Sequence, residues 1–448
     1  MDMPTEPQKL SEYLDRTFTC NCGKQHYAPL KAVSIRKDAL EDLPACMRKL
    51  GFQHPYLICD SITYEIAGKQ CVQVLSDAGL EATCHTLAHA AFDEATVGEL
   101  LINMPANCDL CVAVGTGAIN DMTRFFSYRM GRPFFTVATA APMDGFASSI
   151  AAINVNHLKT TFEAQTPTAI IGDTQILKNA PYRMIAAGLG DLLGKFTCLC
   201  DWKLSKIING EHYCENIVNL VEACVQDVLK DAEKTKDRNP EILGKIMEGL
   251  VLTGVAMSLY GNSRPASGCE HHISHYWEML FEQRGMRPVP HGTQVGVGTV
   301  LILKLAEKLK NTPVDFHAAR QAAESYSPEL WETEIHRVYG PAADGILELE
   351  HQAGKNDPMS RLARIDMIQK HWTELTALLA ELPSSETVMG LLRSLESPCL
   401  PSEIGVGPQL LRDTLLYCKE VRARYTLLQL AWDLDLLEDL TDQIISEC

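Results

Sequence analysis

Four residues that can bind a metal ion or transfer a proton fall within six consecutive positions: Glu270, His271, His272 and His275. Because His271 and His275 are four positions apart, a helix would place both imidazoles on one face. Another histidine, His291, follows in the segment PVPHGTQVGVGT, where a glycine-rich turn is predicted to lead into an apolar helix. This density of imidazoles predicts a site for a divalent transition metal with coordination positions open to a substrate.

The carboxylate of Asp191 stands alone in the segment IAAGLGDLLGKF, which is predicted to form an apolar helix. A buried charge is costly there unless it is paired or bound to a metal ion. Asp191 is therefore a candidate partner for the imidazoles. Spacing alone neither demonstrates that pairing nor decides whether His271 or His272 is the ligand.

A glycine turn is predicted between a strand and a helix at 114–121, with the sequence VGTGAIND. Its glycines allow a ligand to approach the backbone, and the helix N-terminus offers N–H groups to a phosphate. The third glycine of G-x-G-x-x-G is missing, so a plain strand-to-helix turn explains these residues equally well. Asp60, which closes the strand YLICD, could accept hydrogen bonds from an adenosine ribose, but helix capping is the favoured explanation.

A second loop rich in small residues, TVATAAPMDGFASS at 136–149, follows another apolar strand and contains one carboxylate, Asp144. Small residues after a strand end suit a loop that lies against a ligand. A tight loop in which Asp144 forms an Asx turn is an equally good explanation.

The 16 cysteines are interpreted as reduced core residues, because many lie within apolar runs. Cys108-x-x-Cys111 has a redox spacing but leads into a predicted core strand, without the helix N-terminus that lowers a thiol pKa. Cys20-x-Cys22 lacks the second cysteine pair of a zinc knuckle. Neither a G-x-S-x-G elbow nor a G-x-x-x-x-G-K-[ST] loop is present, which argues against a serine hydrolase or a P-loop enzyme.

Two kinds of segment must position these residues. Up to about residue 180, short apolar runs alternate with amphipathic helices, which predicts an α/β domain with a parallel sheet. The predicted strands are 56–60, 70–75, 108–114, 134–138 and 168–172, and a helix is predicted at 119–130. Beyond residue 180 the apolar spacing is helical, so we predict an α/β domain at 1–180 and an all-α domain at 181–448.

The amino-acid composition argues against some classes of binding partner. The 448 residues include 57 acidic and 40 basic side chains, for a net charge of −17. This balance disfavours nucleic acids and anionic membrane surfaces, which reward clustered Lys and Arg. The first residues resemble no signal peptide, and no run approaches the roughly 18–20 apolar residues of a membrane helix, so we expect a cytoplasmic protein.

Taken together, these motifs resemble the sn-glycerol-1-phosphate dehydrogenases, particularly their bacterial AraM-like branch. That family belongs with the iron-containing alcohol dehydrogenases, glycerol dehydrogenases and dehydroquinate synthases. The resemblance runs through nearly the whole chain, in these segments: FTCNCGKQH, GTGAIND, TAAPMDGFASS, AAGLGDLLGKFTCLCDW, SGCEHHISHYWEM, HGTQVGVGT and RDTLLYCKEVRARYTLLQLAWDL. It implies a Rossmann-like domain followed by a helical domain, as in dehydroquinate synthase.

The resemblance also implies residue roles. Metal binding is implied for Asp191, His271 and His291, substrate contact for Asp144, Asp191 and His275, and catalysis for Asp191 and His275. Contacts to a nicotinamide dinucleotide are expected at the following residues: Asp60, Gly115, Gly117, Ala118, Ile119, Asn120, Asp121, Thr139, Ala140, Ala141, Pro142 and Ser148. The chain departs from the common family pattern at Thr116, Pro142 and Cys269. Thr116 stands where many members have a glycine, and its side chain would narrow the space beside the pyrophosphate.

The activity implied is reduction of dihydroxyacetone phosphate to sn-glycerol 1-phosphate by NADH or NADPH, with one zinc or nickel ion as Lewis acid. The charge of Asp60 would disfavour the 2′-phosphate of NADP, so NAD is preferred. Arg264 and Lys195 are candidate cations for the substrate phosphate, although each could be a surface residue. A homodimer is expected from the family. The alternatives are a polyol dehydrogenase, a dehydroquinate-synthase-like lyase, and a non-catalytic protein with the same fold.

Overall fold

The structure is a computed structural model that describes residues 1–87, 93–155, 158–286 and 289–448. The chain forms two compact units, each assembled from two segments. The sheet unit comprises Met1–Leu192 and Glu215–Ser263, and the helical unit comprises Leu193–Cys214 and Arg264–Cys448.

The strands of the described residues all belong to the sheet unit. They are β1 (Arg16–Thr19), β2 (Gln25–Ala28), β3 (Ala32–Arg36), β4 (Pro55–Asp60), β5 (Thr83–Leu87), β6 (Leu110–Gly115), β7 (Phe134–Ala138), β8 (Ile150–Val155), β9 (Leu158–Glu163) and β10 (Ala169–Asp173).

The main sheet has six parallel strands in the order β3-β10-β7-β6-β4-β5. β6 and β7 are buried throughout, because their side chains are almost all apolar and both faces of a parallel sheet are covered. The chain runs from β4 outward to β5 and then returns to the other side of β4 with β6. This reversal makes the carboxyl ends of β4 and β6 the place where such sheets bind ligands. The parallel sheet confirms the predicted fold class of the N-terminal part.

The helices are α1 (Leu43–Leu50), α2 (Ser61–Thr63), α3 (Lys69–Asp77), α4 (Glu94–Asn103), α5 (Ala118–Arg129), α6 (Thr174–Leu177), α7 (Tyr182–Leu193), α8 (Lys195–Asn209), α9 (Glu215–Leu229), α10 (Pro240–Tyr260), α11 (Cys269–Gln283), α12 (His291–Asn311), α13 (Phe316–Glu324), α14 (Pro328–Tyr339), α15 (Ala343–Ala353), α16 (Pro358–Ala380), α17 (Ser385–Ser394), α18 (Pro408–Tyr417), α19 (Leu427–Asp433) and α20 (Leu437–Ile445). Within the described residues after 180, all regular elements are helical, as predicted.

One predicted strand is wrong. Residues 70–75 lie in α3, and the strand of this region is β5. The letters QCVQVL alternate between polar and apolar, but the buried residues Cys71 and Leu75 are four positions apart, which is the spacing of a helix face. A short run of this kind satisfies both periodicities.

The two compact units also divide the chain differently from the predicted boundary at 180 and 181. α9 and α10 return to the sheet unit, where α10 packs against β2 and β3. A Cβ at Gly254 of α10 would lie 2.7 Å from the Cβ of Ala147, so only glycine permits this approach. α10 is the one helix among the described residues with the length and hydropathy of a membrane span. In that helix 72% of the most apolar window is buried in the protein, as expected for a core helix.

Candidate active site

Three histidine rings converge in the helical unit. His271 and His275 lie one turn apart on α11, and His291 is the first residue of α12. The ring centroid of His291 lies 5.2 Å from that of His271 and 5.6 Å from that of His275. The helical spacing of the pair is confirmed, whereas the glycines after His291 lie within α12 rather than in a turn before it.

His271 is held by a buried carboxylate. Its Nδ1 lies 2.7 Å from Glu270 Oε1, and because a carboxylate accepts, Nδ1–H must donate and Nε2 keeps its lone pair. The hydroxyl of Thr197 donates to Glu270 Oε2 over 2.5 Å, and the Gly268 N–H donates to Oε1 over 2.7 Å. Burial raises the pKa of Glu270, but the hydrogen bonds from His271, Thr197 and Gly268 oppose it and the net shift is downward. Glu270 therefore remains ionised and orients the imidazole.

A second carboxylate, Glu278, holds the other two histidines. His291 Nδ1 lies 2.9 Å from Glu278 Oε1, and His275 Nδ1 lies 3.5 Å from Oε2. The ligand atoms of these three residues all lie within 4.8 Å of one another. Sequence reasoning missed Glu278, although its position three residues after His275 places it on the same helix face.

The neighbouring His272 has a different environment. It is fully buried, and both of its ring nitrogens lack a hydrogen-bond partner in the part of the chain that the structure describes. Burial, followed by the charges of Lys355 and Arg424, lowers its pKa well below the usual value. The ring of His271 lies in tilted contact with those of His275 and His291, with centroids 6.1 and 5.2 Å apart, which favours His271 as the ligand.

Close packing of α12 on α11 depends on a glycine. A Cβ at Gly298 would lie 2.9 Å from the carbonyl oxygen of Glu270. This contact sets the distance between the helix that carries His271 and the helix that begins at His291. The glycines of the HGTQVGVGT segment thus position the imidazoles through helix packing.

The sheet unit brings together two predicted carboxylates. Asp191, near the end of α7, is fully buried, and its Oδ2 accepts the backbone N–H of Asp144 over 2.9 Å. A Cβ at Gly188 of α7 would lie 2.1 Å from the carbonyl oxygen of Ala141, so α7 can lie against this loop only with glycine there. The loop of small residues and the helix of Asp191 therefore form one local structure.

The glycine turn lies at the carboxyl end of β6, before α5. Gly117 has a φ of +49°, and a Cβ at Gly115 would lie 2.8 Å from the Ile119 side chain. Asn120 is buried and its Oδ1 accepts the Thr136 hydroxyl over 2.7 Å, while Asp121 pairs with Arg124. The side chains of Asn120 and Asp121 thus hold the turn in place, and the first-turn N–H groups of α5 are directed beyond the sheet edge.

Asp60 caps α2 at the carboxyl end of β4. Its Oδ1 accepts the Thr63 N–H over 2.7 Å, and the Thr63 hydroxyl accepts the Asp60 N–H over 3.0 Å. The favoured explanation from the sequence, helix capping, is confirmed. Thr139, Ala140, Ala141 and Pro142 follow β7, and the Ser148 hydroxyl accepts the Ile150 N–H over 3.1 Å.

The two proposed phosphate cations are not surface residues. Arg264 is buried and donates to both carboxylate oxygens of Glu211, over 2.9 and 2.5 Å. Lys195 is also buried, and its Nζ donates to the Ala266 carbonyl over 3.0 Å. Two other cations of the helical unit, Arg422 and Arg424, follow α18, and the Arg424 guanidinium donates to the Ser267 carbonyl immediately before α11. After burial, the charges of both arginines contribute to the lowered pKa of His272.

Residues 34–181 match the model of a family described as iron-containing alcohol dehydrogenase. The glycerol-1-phosphate dehydrogenase [NAD(P)+] of Halalkalibacterium halodurans is 30% identical over 91% of this chain and 94% of its own length. The enzyme of the same name from Pyrococcus furiosus is 36% identical over 61% of this chain and 78% of its own length.

Solved structures show the same fold at lower sequence identity. Glycerol dehydrogenase from Schizosaccharomyces pombe superposes with a TM-score of 0.60 at 13% identity, covering 93% of this chain and 91% of that one. A probable glycerol dehydrogenase from Sinorhizobium meliloti superposes with a TM-score of 0.59 at 16% identity, covering 92% and 98%. These similarities confirm a Rossmann-like domain followed by a helical part.

Proposed function

This chain belongs to the glycerol-1-phosphate dehydrogenase family and interconverts dihydroxyacetone phosphate and sn-glycerol 1-phosphate with NAD(P)(H), and we propose that three residues bind its divalent metal ion: Asp191, His271 and His291. The observation that carries this assignment is the convergence of the histidine rings in the helical unit. Asp191 joins them in the proposal by the family resemblance and by its burial as a carboxylate.

The donor set fits such an ion. Glu270 and Glu278 accept hydrogen bonds from the Nδ1 atoms of His271 and His291, which leaves each Nε2 as a metal-binding lone pair. One oxygen of Asp191 already accepts the Asp144 N–H, so we assign metal binding to the other oxygen. Two imidazoles and one carboxylate leave coordination positions for substrate, and they suit zinc or nickel equally.

The turn between β6 and α5 has features that suit a nicotinamide dinucleotide. We propose that the pyrophosphate lies at the N-terminus of α5, against the backbone of Gly115, Gly117, Ala118 and Ile119. The Thr116 hydroxyl and the Asn120 Nδ2 are buried and lack a hydrogen-bond partner among the described residues, so both are available to a ligand. The loop of Thr139, Ala140, Ala141 and Pro142, together with Ser148, would line the nicotinamide side. Asp121 would act by holding the turn, and Asn120 would hold the turn through Oδ1 and offer Nδ2 to the dinucleotide.

We propose a preference for NAD over NADP. Asp60 ends β4, the strand beside β6 at the reversal point of the sheet, where the adenosine ribose binds in such folds. Its carboxylate would repel a 2′-phosphate. An Asp60→Asn variant should therefore narrow the difference in KM between NADH and NADPH.

In the mechanism, the bound metal ion supplies Lewis-acid polarisation of the ketone and the reduced nicotinamide supplies the hydride. The residues of the chain supply orientation and a proton route. The Asp144 N–H fixes the carboxylate of Asp191, and we assign substrate contact to the Asp144 side chain by the family resemblance. Burial lowers the pKa of His275 to about 4, so its ring is neutral at neutral pH. Because Nδ1 of His275 faces Glu278, Nε2 is the atom that would take a proton from water and deliver it to the substrate oxygen, leaving hydroxide behind.

The substrate phosphate requires cations, which we assign to Arg422 and Arg424. Arg422 is half-buried, and burial lowers its pKa; an anionic ligand beside it would stabilise the charged guanidinium. The Arg424 guanidinium donates to the Ser267 carbonyl over 3.3 Å, immediately before α11. Arg264 is already neutralised by Glu211, so its assignment as the phosphate cation is withdrawn.

The decisive test is NADH oxidation with dihydroxyacetone phosphate after chelation and re-addition of zinc or nickel. We expect activity to return with the metal and to be lost, together with one bound ion per chain, in His271→Ala. His272→Ala is the matched control and should retain that ion. Equal turnover of unphosphorylated dihydroxyacetone would instead indicate a polyol dehydrogenase, and turnover without net NADH oxidation would indicate a lyase.

We also propose that the protein is cytoplasmic and forms a homodimer. Most of the cysteines are buried, which suits a reducing cytoplasm, and the family resemblance suggests a homodimer. Light scattering of the purified chain would determine the oligomeric state.

A further inference from the structure

The hairpin of β1 and β2 carries a group of metal-binding residues that is separate from the candidate active site. Its turn spans residues 20–24, where the Cys20 N–H donates to the Lys24 carbonyl over 3.1 Å and the Gly23 N–H donates to the Cys20 carbonyl over 3.0 Å. Gly23 has a φ of +88°, which favours glycine. This turn brings Cys20 and Cys22 together beside His26 of β2.

Three ligand atoms meet at this turn. The two sulfurs and the His26 ring nitrogen lie within 4.8 Å of one another, and Cys22 Sγ lies 3.2 Å from His26 Nε2. Cys20 and His26 are buried, with exposures of 7% and 1%. Zinc–sulfur and zinc–nitrogen bonds of about 2.3 and 2.0 Å place tetrahedral ligand atoms at separations of this size.

His26 is already oriented to bind a metal ion. Its Nδ1 lies 2.7 Å from the carbonyl oxygen of Leu259 in α10. Since a carbonyl only accepts, Nδ1–H donates and the lone pair resides on Nε2, the atom that faces Cys22. Histidines that bind metals in proteins almost always have such a bond at the other ring nitrogen.

A candidate for a fourth ligand, Cys214, stands immediately before α9. The Asn216 side-chain amide donates to Cys20 Sγ over 3.5 Å and to Asn21 Oδ1 over 3.4 Å. Cys214 precedes Asn216 by two residues and is fully buried. An amide N–H directed at a sulfur stabilises a thiolate, as at metal-bound cysteines.

We propose a structural zinc site with four protein ligands: Cys20, Cys22, His26 and Cys214. Three cysteines and one histidine form a closed tetrahedral set of the structural type, without a position for substrate. Each thiol that binds loses its proton to solvent, and thiolates select zinc over magnesium or calcium. The site is thus distinct in chemistry from the candidate active site, whose ligands are imidazole and carboxylate.

The site would anchor the hairpin. A two-stranded hairpin alone is marginally stable in water. β1 and β2 form a two-stranded sheet of their own, which a bridge between Asp2 and Thr19 and the packing of α10 on β2 connect to the rest of the sheet unit. Zinc ligation would join the hairpin to the chain immediately before α9 and, through His26, to Leu259 of α10. The expected role is therefore to stabilise the N-terminal part of the fold.

Metal analysis of the full chain, purified under reducing conditions and equilibrated with zinc alone, tests this inference. We expect Cys22→Ser and Cys214→Ser each to lose one zinc ion per chain, whereas Cys46→Ser, which alters a half-buried cysteine of α1, should lose none. Substitution with cobalt should give thiolate-to-cobalt charge-transfer absorption that His271→Ala retains and Cys22→Ser loses. His271→Ala should remove only the active-site ion, and Cys22→Ser should remove only the zinc ion of the hairpin. The loss of one ion can therefore be distinguished from the loss of the other.

A further pair of variants separates ligation from folding. His26→Cys keeps a ligand at this position and should retain the zinc ion, whereas His26→Ala should lose it and unfold at a lower temperature. Unchanged zinc content in both Cys22→Ser and Cys214→Ser, or cobalt spectra without thiolate absorption, would overturn the inference.

Discussion

At the scale of single residues, Glu270 and Glu278 hold the histidines of the candidate active site. Glu278 contacts both His291 and His275. Glu278→Gln should weaken metal binding about 10- to 100-fold, because the amide is a weaker acceptor and can present its NH2 group to the imidazoles. Chelator competition measures the affinity. Glu282→Gln, on the exposed side of the same helix, is the control, and equal affinities in the two variants would refute the role of Glu278.

The proposed recognition of the substrate phosphate by Arg422 can also be tested at a single residue. Arg422→Ala should raise KM for dihydroxyacetone phosphate about 10- to 100-fold, since a charge-assisted hydrogen bond is worth roughly 1.5–3 kcal/mol. Turnover of unphosphorylated dihydroxyacetone should not change. Steady-state kinetics with both ketones provides the measurement. A variant that loses both activities in parallel would show that Arg422 supports the fold instead.

At the scale of elements, the packing of α12 on α11 depends on Gly298. Gly298→Ala should destabilise the protein by about 1–3 kcal/mol, because its Cβ would overlap the Glu270 carbonyl and push the helices apart. Gly390→Ala in α17 is the matched control, since a Cβ there meets nothing within 4 Å, and it should stabilise by about 0.5–1 kcal/mol. Urea unfolding compares the two, and the same sign for both would contradict this account.

At the scale of the whole molecule, stability should depend on a buried charge network around Glu420. Its Oε2 lies 3.1 Å from Lys355 Nζ, and it also pairs with Lys419. Burial raises the pKa of Glu420, but these lysines outweigh it and lower that pKa from 4.5 to about 2. A depressed pKa stabilises the fold above pH 4.5, and this contribution disappears as the pH falls toward 2.

Glu420→Gln should therefore cost about 3–5 kcal/mol at neutral pH and progressively less below pH 4.5, where the native carboxylate also loses its advantage. Urea titrations at several pH values measure the difference. Glu348→Gln, an exposed position on α15, should leave the pH dependence of the native protein unchanged. An equal effect of Glu420→Gln at every pH would exclude ionisation as the cause.

Much of the architecture was predictable because its causes are local. Continuous apolar runs indicated β4, β6, β7 and β10, and the helical spacing of His271 and His275 placed both on one face. The segment at 70–75 was mistaken for a strand, since six residues can satisfy two periodicities. The return of α9 and α10 to the sheet unit was not predictable either, because it depends on contacts between residues far apart in the chain.

The sequence by itself determined the family, the fold class and the residue types of the active site, because those depend on motifs and on periodicity along the chain. Only the tertiary structure showed that His271 is bonded to Glu270, whereas His272 is buried and its ring nitrogens lack a hydrogen-bond partner among the described residues. It placed Glu278 beside His291 and paired Arg264 with Glu211. It also grouped Cys20 and Cys22 with His26, where spacing had shown only an incomplete zinc motif. Hydrogen bonds and burial depend on which side chains meet in space, and linear spacing does not encode those meetings.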